Sequence, residues 1–222
     1  MPDVPSALER LCALEAQVSA HYLIGADGRV WQLVEETARA WHAGAGSWGG
    51  RGDVNSRSIG IELDNDGASP FAAPQMQALE ALLGGVLHRW AIPPAGVIAH
   101  SDMAPERKQD PGPRFDWRRL ALLGLSIWPR PGGDAGTPLP VSLDRLGYPE
   151  VAPPLRLAAF RLRFRPGAQG PEAPIDRAAA ADLVAQLEVA NTDRSAPGTV
   201  SPHRDRYRTT QQVRRSVRGD GI

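Results

Sequence analysis

The chain has one cysteine in 222 residues. A single thiol excludes a disulfide framework and suits a reducing compartment. Cys12 lies in Leu11-Cys12-Ala13-Leu14, an apolar helical context that reads as a buried thiol rather than a nucleophile. Formal net charge is zero, so nothing draws a nucleic-acid polyanion as the main partner. No apolar run approaches the ~20 residues of a membrane-spanning helix. Met1-Pro2-Asp3-Val4-Pro5-Ser6 has neither the basic n-region nor the apolar h-region of a secretory signal. The expectation is a protein with no nucleic-acid or membrane partner that works in the cytoplasm. Lysine is equally scarce: Lys108 is the single lysine, and arginine carries every other positive charge.

What is present organises into layers. Ser6 with Glu9 has the capping-box pattern and opens a helix over 7–14. Ala20 to Ile24 and Arg29 to Val34 are β-type runs joined by Gly25-Ala26-Asp27-Gly28, a hairpin. Trp41 to Gly52 is too rich in glycine for an element and reads as a loop laid over a surface or ligand. Ser58 to Asp64 alternates, with Ile59, Ile61 and Leu63 on one face and Gly60 and Glu62 on the other. Pro74 opens a helix to about Trp90, with Met76, Leu79, Leu83 and Val86 in its apolar stripe. Val97 to His100 reads as a strand delivering His100 at its tip, and Phe115 to Leu123 as a further helix. Alternating strands and helices predict an α/β domain, a mixed β-sheet flanked by helices, over 1–128. Proline and glycine mark a linker over 129–140. Three short helical pieces over 141–189 form a small module, and the arginine-rich, apolar-poor 190–222 reads as a disordered tail.

The chemistry concentrates in Ala99 to Gly112, where His100 offers an imidazole, Asp110 a carboxylate and Lys108 a cation. A ligand pair beside a cation suits a hydrolytic zinc centre with an oxyanion clamp. Two protein ligands are one short of the usual three, however. A hydrogen-bonded His100 and an Asp110 that caps the next helix stay open as alternatives. Glu62, on the polar strand face beside Gly60, can face a groove as a proton acceptor or merely be solvated. His42 can line a site or pack. His21 reads as a packed histidine, His88 as solvent-facing, and His203 has no supporting context.

Val18 to Ile24, Arg39 to Gly44, Asn55 to Leu63 and His100 to Gly112 together resemble, in that order, the zinc-dependent N-acetylmuramoyl-L-alanine amidases of the AmpD/AmiD type, a fold related to peptidoglycan recognition proteins. The resemblance implies Zn2+ held by His100 and Asp110, Glu62 as acid/base, Lys108 on the tetrahedral oxyanion and His42 in the substrate groove. It implies a peptidoglycan or muropeptide substrate, cut between muramic acid and L-alanine. The family's first strand, with its histidine ligand, falls before Met1. The expectation is a start assigned too late, and a sheet with an unpaired edge. The alternative is an impaired protein that binds peptidoglycan fragments and lacks the third zinc ligand. The 141–189 module resembles, over a shorter stretch, peptidoglycan-binding helical domains.

Overall fold

The computed structural model describes residues 4–195. Three strands form one mixed sheet, β1 (Tyr22–Ile24), β2 (Val30–Gln32) and β3 (Ile61–Leu63), in the order β2-β1-β3. β1 and β2 are the expected hairpin, antiparallel with Leu23 opposite Trp31. β3 runs parallel to β1 with Glu62 opposite Leu23. Parallel neighbours need a crossover, and the chain from Leu33 to Gly60, including the glycine-rich loop, supplies it. Among the described residues β2 and β3 are the two edges of the sheet, each paired with β1 alone.

Helices cover both faces. α1 (Val4–Cys12) sets Ala7 and Leu11 against Ala20 and Leu23. α2 (Ala73–Trp90) sets Met76, Leu79 and Leu83 against Ile24, with Ile61 and Leu63 packed on the same cluster. Side-chain alternation in β3 therefore turns Ile61 and Leu63 to α2 and Glu62 away from it. Glu36 locks one corner: it accepts from Tyr22 Oη at 2.7 Å, Trp90 Nε1 at 2.5 Å and Arg89 Nη2 at 2.5 Å. The Arg89 guanidinium, together with the Tyr22 and Trp90 donors, outweighs burial and holds Glu36 at a pKa of about 2.

Three expectations are corrected. Val97 to His100 is not a strand: Val97–Ala99 is irregular and His100 opens a one-turn helix, α3 (His100–Met103). A short apolar run reads alike for a strand and for a packed loop, and here it is Ala99 and Val97 against the α2 cluster that make the run apolar. Cys12 is exposed, because it follows Leu11 around α1 and points away from the sheet. Ser6 lies within α1 and is not its cap.

α4 (Trp117–Leu122) is shorter than the expected 115–123 and is capped by Asp116, whose Oδ1 accepts from Arg119 N at 2.9 Å. Beyond it, α5 (Leu139–Leu146), α6 (Pro153–Phe164) and α7 (Pro174–Ser195) enclose a second core of Leu143, Phe160, Phe164, Ala180 and Leu183. α7 passes the expected boundary at 190. The remainder of that tail, His203 included, lies outside the described residues. No described helix is long and apolar enough to cross a membrane.

Candidate active site

A cavity of about 810 Å³ is lined by Gly60 and β3, by the segment Gly96 to His100, and by residues of both α1 and α2. Glu62, His100, Lys108, Asp110 and His42 all line it. The residues picked out from sequence therefore share one chamber, although Glu62 and Asp110 lie far apart in the chain.

The loop after α3 returns to its start. Ser101 N donates to Asp110 O at 3.2 Å, and Lys108 N donates to Ala104 O at 3.0 Å. Gly112 adopts φ +87°, and a Cβ there would fall 2.2 Å from Gly67 O, so only glycine lets the loop close against its neighbour. This closure brings His100 Nδ1 onto Asp110 Oδ2, with Lys108 Nζ 3.8 Å from Asp110 Oδ1. Asp110 caps no helix, since Asp116 fills that role. Burial opposes a charge on either His100 or Asp110, and their contact outweighs it: His100 is held above and Asp110 below the ordinary value. Burial raises Glu62, Asp110 raises it further, and the charges of His100 and Lys108 pull it back down.

The histidines separate cleanly. Gly60 N donates to His21 Nδ1 at 2.9 Å, so Nδ1 is the acceptor and Nε2 carries the proton given to Ala38 O at 3.1 Å. That is a neutral, buried, structural ring, and burial lowers its pKa. His42 stacks edge-on against it at 5.7 Å. Its ring sits over Gly60, where a Cβ would fall 2.2 Å from His42 Cγ. Gly60 thus makes room for His42 in the wall. Burial, then the neighbouring His21 and His100, bring His42 down to about 4, so it is neutral near pH 7. His88 is exposed, as expected.

Sequence reasoning gave no role to two supports. Asn55 Oδ1 accepts from His42 N at 3.0 Å and Ala43 N at 2.8 Å, fixing the backbone under His42. Asp102 is fully buried behind His100, and its Oδ2 accepts from Ala99 N at 2.9 Å. Its position three residues after Ala99, in a helix's first turn, was the available signal.

A zinc ion takes nitrogen and oxygen donors, typically three from the protein in a catalytic site. His100 and Asp110 fit two of those places, because their donor atoms converge on one point at the cavity wall. Among the described residues no third His, Cys, Asp or Glu completes a set of three.

The profile of N-acetylmuramoyl-L-alanine amidases matches residues 1–113. The chain belongs to the N-acetylmuramoyl-L-alanine amidase family. N-acetylmuramoyl-L-alanine amidase AmiD of Escherichia coli K12 is 37% identical, the match covering 82% of this chain and 78% of AmiD. 1,6-anhydro-N-acetylmuramyl-L-alanine amidase AmpD of Citrobacter freundii is 43% identical over 48% of this chain and 57% of its own. Among solved structures, AmiD from E. coli in complex with anhydro-N-acetylmuramic acid-L-Ala-D-gamma-Glu-L-Lys superposes with a TM-score of 0.75 at 36% identity, covering 83% of this chain and 85% of that one. AmpDh3 from Pseudomonas aeruginosa gives 0.76 at 29% identity, covering 84% and 88%. These two cover the helical module as well as the sheet, so the amidase of this chain is of the AmpD/AmiD type with C-terminal helices.

Proposed function

We propose that this amidase hydrolyses the amide between the lactyl group of N-acetylmuramic acid and L-alanine in muropeptides of the anhydro-muramyl kind, with zinc as cofactor. The carrying observation is that Glu62, His100, Lys108 and Asp110 line one cavity. His100 and Asp110 would hold the zinc. When bound, zinc polarises the amide carbonyl and lowers the pKa of water. Glu62 accepts the proton of the attacking water and passes it to the departing L-alanine nitrogen. Burial suits it to both halves by raising its proton affinity. Lys108 Nζ donates to the carbonyl oxygen as that atom gains charge. His42, uncharged, presents a neutral wall to the substrate.

A protein that only held peptidoglycan fragments would need neither a half-buried carboxylate nor a cation at the same wall, and this favours the enzyme. We read 1–128 as the catalytic domain, 129–140 as its linker and 141–189 as an attached helical module. Incubating the protein with anhydro-N-acetylmuramic acid-L-Ala-D-γ-Glu-L-Lys and weighing the products tests the reaction. The expected products are anhydro-N-acetylmuramic acid and the intact tripeptide. Recovery of uncut substrate at saturating zinc, or cleavage within the peptide, contradicts the reading.

A further inference from the structure

α3 is a single turn and cannot hold itself in a fixed orientation, yet His100 is its first residue. What holds it comes from the C-terminal module. Asp102 is completely buried and accepts from two side chains far along the chain: Tyr148 Oη on Oδ1 at 2.7 Å, and Arg163 Nη1 on Oδ2 at 2.7 Å. The same guanidinium reaches back past His100, its Nη2 donating to Val97 O at 2.8 Å and to Ser126 Oγ at 3.2 Å. Arg163 thus grips the chain on both sides of His100. Its own plane is fixed between Trp117, 4.3 Å from the ring centroid, and Phe164, at 4.8 Å.

The second side of the cavity is held from the same module. Tyr148 stacks edge-on against Trp48 of the glycine-rich loop at 5.1 Å, and Gly49 N donates to Gly147 O at 2.9 Å. That loop begins at Trp41 and His42 and rests on the end of α3, with Ser47 N donating to Met103 O at 2.9 Å.

A buried ion pair is a poor way to gain stability, since desolvation cancels most of its attraction. Its value here is geometric. A planar fork with two fixed donors can set Val97 and Asp102 relative to each other, which a point charge such as lysine cannot do. We propose that Arg163 and Tyr148 are positioning residues of the amidase site, acting through Asp102 to fix the angle at which His100 meets Asp110. The helical module is then a brace for the catalytic loop, whatever else it binds. The proposal rests on the assignment of His100 to the active site made above.

The test compares Arg163→Lys and Tyr148→Phe with Arg161→Lys. Arg161 lies on the same helix and is buried in an ion pair with Asp176 at 2.6 Å, away from α3. Two readouts are taken on the full chain: the ring nitrogen and proton resonances of His100, assigned against His100→Asn, and kcat and KM on the anhydro-muramyl tripeptide. Groups that orient a metal-binding side chain typically contribute about 10- to 100-fold. Arg163→Lys is expected to shift the His100 resonances and lower kcat by about that factor, with KM little changed. Tyr148→Phe does the same to a smaller degree. Arg161→Lys lowers the melting temperature and moves neither readout. If Arg163→Lys does not fold, Tyr148→Phe, which loses one hydroxyl, decides alone. The proposal is overturned if both variants melt earlier but keep wild-type His100 resonances and kcat. Should the wild type hydrolyse no muropeptide while the resonances still move, the brace stands and the assigned reaction falls.

Discussion

Glu62→Gln lowers kcat by about 10²- to 10⁴-fold, the usual contribution of a positioned general acid–base group. Glutamine has nearly the same shape, so the β3 strand, the Ile61 and Leu63 contacts with α2 and the cavity wall persist. What it lacks is a carboxylate able to take a proton from water. Substrate affinity should change little, because the proton transfer matters in the transition state and not in binding. Steady-state kinetics beside calorimetric binding of the muropeptide to Glu62→Gln separate the two. The pH profile carries the same signature. The base works as a carboxylate, so activity is lost as pH falls through its pKa. Burial places that pKa above the ordinary glutamate value. The acid limb therefore appears at higher pH than for a solvated glutamate and disappears from the residual rate of Glu62→Gln. A variant that retains kcat removes Glu62 from the chemistry.

Lys108→Ala costs about 10²- to 10³-fold, the range for deleting one oxyanion donor. Lys108 Nζ stands 3.8 Å from Asp110 Oδ1, and its side chain is 36% exposed. The attraction between them is that of a partly solvated pair and is worth little to stability. The melting temperature should therefore hold while turnover collapses. This contrast identifies a group whose work is done on the substrate. The only lysine in the chain would then be the residue whose removal costs much activity and little stability. Equal losses of stability and activity would instead make Lys108 a support for the Asp110 loop.

Much of this arrangement was legible in the amino-acid order because its signals are local. The alternation through Ile61, Glu62 and Leu63 dictated which side chains met α2 and which turned away from it. The spacing of Met76, Leu79, Leu83 and Val86 placed the long helix. Lys108 and Asp110 stood out by their chemistry. The illegible parts depend on distant partners. His100 was expected at a strand tip, since Val97 to Ala99 is apolar either way; only packing on the α2 cluster and the Asp102 cap make it start a helix. Asp102 looked like any acidic residue in a loop, because its partners, Tyr148 and Arg163, lie 46 and 61 residues away. Cys12 was misplaced because an apolar neighbourhood in sequence does not say which side of a short helix a residue occupies.

The most direct measurement of the central claim is hydrolysis of the anhydro-muramyl tripeptide as zinc is titrated into chelator-stripped protein, repeated with His100→Ala and Asp110→Ala. The predicted result is no cleavage without zinc and a rise to a plateau with one zinc bound per chain. Each variant should need far more zinc or reach no plateau. Full hydrolysis in the presence of chelator, or a zinc dependence that neither variant alters, would contradict the account.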